Sequence, residues 1–215
     1  MLRDIARAEQ VPAFGTYTLL ARLQTDGTLS PGVFEASLFD LTQHRGLDLP
    51  IQLERLRLVA GVDRWRPDAA ALVLTRAAAW AADPGACLSL LSEACSRRST
   101  DPSDLAVWAA RATQGLCATI ADATDSAAAA AAMLARLLAT PGLTPDGARA
   151  LVDGTRAATL RNEVPDPWAG AVDILRDALL GVHTGEECRL ILTVLAANLD
   201  PADQRIIFRS LIQTR

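Results

Sequence analysis

The stretch "DPSDLAVWAARATQGLCATIADATDSAAAAAAMLARLLATPGLTP", residues 101 to 145, decides the fold. It opens on Asp101-Pro102, where the Asp carboxylate can accept from free helix amides and Pro supplies a preset φ at the first helical position. Leu105, Trp108, Ala109, Ala112, Leu116 and Ile120 then recur at helical spacing on one face. Asp125-Ser126 starts a second helix. Its alanines, Ala127 to Ala132, propagate helix well and bury little area each, so that helix axes can approach closely. Thr144-Pro145 starts a third.

Outward from this stretch the signal repeats. Asp83-Pro84, Asp166-Pro167 and Asp200-Pro201 carry the same punctuation, and Thr184 with Glu187 fits a capping box. Starts near 83, 101, 125, 144, 166, 184 and 200 are separated by one helix and a short turn each, the spacing of consecutive antiparallel helices. Trp168, Val172, Leu175 and Leu179 share a face. Leu190, Ile191, Val194 and Leu195, then Ile206, Ile207, Leu211 and Ile212, make wide apolar stripes suited to a terminal hairpin. The expected fold class is predominantly all-α, consecutive antiparallel helices forming an irregular α-solenoid or a multi-helix bundle, with a short N-terminal α/β remnant. Trp108 is not followed by Leu-Gly, so the tetratricopeptide signature is absent. Small residues Ala109, Ala112, Ala148 and Ala178 are expected to leave room for a partner's side chains on one side of the array.

Composition bounds the function. Half of the 215 residues are hydrophobic, enough for a core plus a helical array. A net charge of −4 and a pI near 5.2 argue against binding nucleic acid through the overall field. All 21 basic residues are arginine, a bias expected of a GC-rich, bacterial genome. Cys87, Cys95, Cys117 and Cys188 form no Cys-x-x-Cys pair and read as reduced core thiols, and His183 with Cys188 is the nearest approach to a ligand spacing. The most apolar run, Ala127 to Ala135, is far shorter than a membrane span and meets Arg136 at once. No membrane role and a cytoplasmic location are expected.

Two groups are candidates for binding. Arg55, Arg57, Arg64 and Arg66 are the densest basic cluster, with Trp65 as a stacking surface for nucleic acid. Glu54 and Asp63 interrupt it, and a solvated, ion-paired helix face is the competing reading. Trp80, Trp108 and Trp168 are candidate partner anchors, although their helical spacing among Leu and Ala equally suits a core.

The first 50 residues differ in kind. Val11 to Phe14 reads as a short strand, Gly15 as a turn and Thr16 as an N-cap, before a helix with Tyr17, Leu19, Leu20 and Leu23 that ends at Asp26-Gly27. A second helix from Ser30-Pro31 carries Val33, Phe34, Leu38 and Leu41 and stops at Gly46, and Leu47 to Pro50 makes an extended exit. A lone four-residue strand has nowhere to place its backbone hydrogen bonds.

The run "LRDIARAEQVPAFGTYTLLARLQTDGTLS", with Asp48-Leu49-Pro50 and Arg64-Trp65-Arg66-Pro67 beyond it, resembles the carboxy-terminal part of bacterial PIN-fold nuclease-like domains followed by a helical tail. The resemblance covers residues 2 to 50. It implies that Met1 sits inside such a domain, whose first strands and Mg²⁺- or Mn²⁺-binding carboxylates would precede it. None of the family's acidic positions falls on this chain, so no catalytic residue, metal ligand or cofactor is assigned to it: Asp4, Glu9, Asp26, Glu35, Asp40 and Asp48 read as solvated surface charges. The expected organisation is a remnant over 1–50, a connecting helix over 51–66 and a helical repeat-like or bundle domain over 67–215. The expected function is the helical interaction region of a PIN-like, nucleic-acid-processing protein whose catalytic part lies elsewhere. Its partner would be another protein or another domain of a longer parent, with RNA reached through the parent domain. The alternative is a complete all-α regulatory or scaffold protein with no enzymatic activity. In the fragment reading Leu19, Leu20, Leu23, Phe34 and Leu38 are only partly covered.

Overall fold

The computed structural model describes residues 15–44, 49–50, 52–98 and 101–212. Among them are twelve helices and no strand. The expected strand over Val11 to Phe14 lies outside the described residues, as do Leu47 and Asp48. The chain divides into two compact units, Met1–Pro50 and Ile51–Arg215.

In the first unit, α1 (Thr16–Thr25) and α2 (Pro31–Gln43) form a helical hairpin. Gly15, not Thr16, occupies the N-cap of α1, and no side chain caps that end. At the other end Gly27 adopts φ +74°, which frees Thr28 N–H to reach the Leu23 carbonyl at 2.9 Å and Gly27 N–H to reach that of Gln24 at 3.0 Å. That is a Schellman closure, and the positive φ is why Gly follows Asp26. Ser30 caps α2 by accepting from Val33 N–H. Phe34, Leu38 and Leu49 are buried, with Tyr17, Leu20, Ala21 and Leu41 packed against them. Phe34 and Leu38 are therefore not the partly covered residues expected of a fragment, although Leu19 is 53% exposed.

The second unit holds α3 (Leu53–Val62), α4 (Ala69–Val73), α5 (Ala77–Ala82), α6 (Pro84–Arg97), α7 (Pro102–Cys117), α8 (Ala123–Leu138), α9 (Pro145–Arg161), α10 (Trp168–Leu180), α11 (Gly185–Ala196) and α12 (Pro201–Ile212). Capping places most of these starts where the sequence puts them. Asp83, Asp101 and Thr144 accept amides of α6, α7 and α9, and Thr184 with Glu187 closes a capping box on α11. Two starts shift. Asp122 rather than Asp125 caps α8, accepting from Thr124 and Asp125 N–H at 2.8 and 2.9 Å, and α10 begins at Trp168, whose N–H donates to Asp166.

Tryptophan and arginine side chains fasten the loops between helices. After α3 the backbone passes through two successive left-handed residues, Arg64 (φ 53°) and Trp65 (φ 60°), a conformation unfavourable for L side chains. Helix α7 holds that turn: the Trp108 indole donates to Trp65 O at 3.0 Å, and Arg111 donates to Pro67 O at 2.6 Å and Asp68 O at 3.0 Å. The Trp80 indole donates to Leu74 O at 2.8 Å, closing the α4–α5 corner.

Helices pack on the next but one as well as on the next. α7 lies against α9 and α8 against α10, more extensively than either pairs with its chain neighbour, and α10 lies against α12. Ala106 meets Gly154, and further along Gln114 comes beside Arg161 and Asn162, so α7 and α9 run parallel. A Cβ at Gly154 would fall on the Ala106 carbonyl oxygen, and one at Gly115 on the Leu74 carbonyl oxygen and the Trp80 indole. Only glycine lets these backbones meet.

A polar latch joins α9 to α12. Arg156 makes a bidentate pair with buried Asp203 at 2.7 and 2.9 Å, reaches Asp166 at 2.8 Å through Nε, and has its pKa raised further by these carboxylates, Asp203 first. Trp168 Nε1–H donates to Asp203 O at 3.4 Å. Alongside, Arg176 of α10 holds Asp173, Asp177 and the Ser210 hydroxyl of α12.

Candidate functional site

The basic cluster read from the sequence does not converge. Arg55 is buried and donates to Gln52 at 2.7 Å. Arg57 bridges α3 to α6 through Glu93 (2.8 Å) and the Ser89 hydroxyl (3.2 Å) and pairs with Glu54 of its own helix (2.7 Å), and the two carboxylates, Glu93 first, raise its pKa. Arg64 and Arg66 are exposed on the left-handed turn. The half-buried Trp65 ring carries Arg97 over its face at 5.9 Å. The geometry is that of a structural ion-pair network beside two exposed arginines.

Trp80, Trp108 and Trp168 are all buried, and each donates its indole N–H to a backbone carbonyl. They are core fasteners, away from any surface a partner can reach. Cys87, Cys95, Cys117 and Cys188 are free and buried, and burial pushes the Cys95 thiol up to about 12 and that of Cys87 to about 11. His183 sits 3.9 Å from Glu187, whereas the Cys188 sulfur faces the Arg176 carbonyl at 4.0 Å. No group of three or more metal-ligating side chains occurs among the described residues. No helix among them is long and apolar enough to cross a membrane.

The surface over the α7–α9 seam is the more informative feature. The close approach of Ala106 and Gly154 leaves a groove of about 560 Å³ across α4, α7 and α9, floored by Ala106, Ala110, Gly154 and Ala157 and walled by Leu72, Val107, Arg111, Gln114, Asp153 and Arg161. A second depression of about 410 Å³ continues from it past Asp153 and Ala157 to Leu160 and Val164. Leu160 is 80% exposed. Arg161 donates only to the Ala157 carbonyl of its own helix, at 3.0 Å, and has no carboxylate within ion-pair distance among the described residues. Asp153 is matched by Arg149 at 3.5 Å, and Arg111 is engaged with the α3–α4 loop. The groove thus combines a small apolar floor with one uncompensated cation.

The small residues expected to line such a surface are mostly others. Ala109, Ala112 and Ala148 are buried, and Ala178 is exposed on α10. Ala106, Ala110 and Ala157 line the groove instead, displaced around their helices from the buried face. The signal that could have found them is Asp153, Ala157 and Arg161 at i, i+4, i+8 on α9, a row that is neither apolar enough for core nor charged throughout.

The chain matches no family model, no curated protein and no solved structure.

Proposed function

We propose that residues 51–215 are a protein-docking scaffold, an irregular α-solenoid whose face over α4, α7 and α9 receives a segment of a partner protein. The packing of helices on the next but one supports the stacked arrangement, because a bundle closed on itself does not require parallel α7 and α9 to be each other's main neighbours. The single observation that carries the docking reading is the groove itself: small floor, exposed Val107 and Leu160 at its edges, and Arg161 without a carboxylate. A helix or extended segment with small apolar residues toward Ala110 and Ala157 and an acidic side chain toward Arg161 complements it. This reading is independent of the nuclease-like resemblance of residues 2–50, and any hydrolytic chemistry of a parent protein lies outside the groove.

The test begins with a photo-crosslinking residue at Leu160 or Val107 of the full chain in its host cells. The adduct is identified, and the purified partner is titrated against the chain. Ala157→Arg, which fills the floor, and Arg161→Glu are each expected to weaken binding at least about tenfold, whereas Arg136→Glu on α8 leaves it unchanged. Absence of adducts at both positions, or binding indifferent to Ala157→Arg, would overturn the proposal.

A further inference from the structure

The groove over α7 and α9 selects the backbone conformation of what lies in it. Ala106, Ala110 and Gln114 on α7 and Gly154, Ala157 and Arg161 on α9 line it from two parallel helices, and eight positions on either helix span about 12 Å. A furrow between small side chains accepts the ridge of a third helix, with axes as close as about 8 Å. An extended segment is served less well, because each of its residues brings an N–H and a C=O that need partners. The floor offers none, since its backbone is bonded within α7 and α9. At the walls the Thr75 hydroxyl already donates to Leu72 O at 2.7 Å and Arg111 to the Pro67 and Asp68 carbonyls, which leaves the Gln114 amide and the Arg161 guanidinium, both at one end. A helix satisfies its own backbone and needs no such row of donors.

Beyond Gln114 the groove runs into a polar recess of about 180 Å³ between Gln114, Ala158, Arg161 and Asn162. The Asn162 amide donates to Ala158 O at 2.7 Å and Arg161 Nε to Ala157 O at 3.0 Å, so the Gln114 amide and the outer guanidinium nitrogens are left to receive a carboxylate. The neighbouring charges do not supply one. Asp153 pairs with Arg149 at 3.5 Å, Asp166 is held by Arg156, and Glu163, beyond the end of α9, makes no ion pair with Arg161 and lines neither groove nor recess.

We infer, resting on the docking reading, that the occupant is an α-helix of a partner protein. It lies along the α7–α9 seam with a face of Gly, Ala or Ser on the floor and an Asp or Glu side chain in the recess at Arg161 and Gln114.

The partner segment crosslinked at Val107 or Leu160 supplies the probe, as a synthetic peptide of about 15 residues, a length at which an isolated helix is marginal in water. Titrated with the full chain, it is expected to gain helical circular dichroism. A proline at its centre weakens binding at least about tenfold. Lysine in place of its acidic residue weakens binding as much, and the Arg161→Glu chain recovers the lysine peptide, because the reversed charges then match. A peptide that binds without gaining helix or tolerates the proline would overturn the inference and leave the docking reading standing, whereas absence of adducts at both positions overturns both. Affinity lost on amidating the peptide's C-terminus but indifferent to its acidic side chain would give the recess to a chain terminus, and would overturn the inference too.

Discussion

Between α7 and α9 the backbones of Ala106 and Gly154 meet with no charged side chain between them; between α9 and α12 the guanidinium of Arg156 sits on the carboxylate of Asp203. Both contacts hold a helix against one later in the chain. The seam works by absence of side-chain volume, so dispersion between backbones and alanines replaces the area that large side chains would bury. The latch works by charge, fixing one orientation through a fork-to-fork geometry at the cost of desolvating Asp203. The two should consequently fail for different reasons.

The seam should be broken hardest by size. Gly154→Val places a branched side chain where even a Cβ meets the Ala106 carbonyl, and the loss in urea unfolding is expected to be about 3 kcal/mol or more. Even Gly154→Ala should destabilise, although on an open helix the same change would gain about 1 kcal/mol from propensity. A neutral or stabilised Gly154→Ala variant would mean that α7 and α9 separate without penalty and that the seam is not a close contact.

The latch should be broken by removing one charge and repaired by removing both. Asp203→Ala leaves Arg156, which is 31% exposed, with Asp166 alone, and an expected loss of about 2 to 3 kcal/mol follows from stranding a mostly buried cation. Arg156→Met together with Asp203→Leu is expected to recover most of that loss, measured in the same unfolding experiment. No pair of substitutions does this for the seam, since a backbone carbonyl cannot be substituted away.

These differences bear on what could be read in advance. Caps were legible because Asp, Ser or Thr before Pro acts within three residues: Asp83, Asp101 and Thr144 hold the amides expected of them. Helices α4 and α5 were not, because the alanines from Ala69 to Ala82 carry no start signal of that kind, and the corner between them is set by Trp80 on Leu74. Gly115 and Gly154 look in sequence like weak points of helices; their purpose appears only when Leu74 and Ala106 are seen opposite them. The candidate groove inherits the same difficulty, since its floor exists only once two helices 48 positions apart lie together. Trp80, Trp108 and Trp168 illustrate the converse: a residue type suited to interfaces is equally suited to joining loops to a core.

A smaller effect, of opposite sign, sharpens the picture of the seam. Thr113 on α7 and Thr155 on α9 are fully buried, and their hydroxyls have no hydrogen-bond partner. Thr155→Val keeps the shape and removes the unsatisfied group, so it should raise stability by about 1 kcal/mol. A loss instead would show that the hydroxyl is bonded in solution and that the seam is wetter than its packing suggests.

Acid should act on the helix caps. The Ser103 hydroxyl and the Asp104 amide hold the Asp101 carboxyl below its ordinary 3.8, the Asp125 and Thr124 amides do the same for Asp122, and the Thr184 amide and hydroxyl hold Glu187 below 4.5. A carboxylate depressed on folding stabilises fully above its unfolded pKa, and that contribution is lost as pH falls through the folded value. Helices α7, α8 and α11 should accordingly weaken as pH drops from 4.5 to below 3.8. Asp122→Asn, which caps without titrating, should flatten the acid limb of the urea midpoint against pH. An acid limb identical in this variant would assign the loss to other carboxylates.

The turn at Arg64 and Trp65 has a consequence for synthesis. Its two left-handed residues are held by Trp108 and Arg111, the indole reaching across 43 positions of chain. At translation rates of roughly 5 to 20 residues per second, that separation corresponds to about 2 to 9 s between the emergence of Trp65 and that of the indole that clamps it, an interval in which α4 also emerges. For that interval the nascent chain carries a corner whose geometry nothing enforces, and the apolar faces of α3 and α4 are available to any chaperone that scans emerging polypeptides.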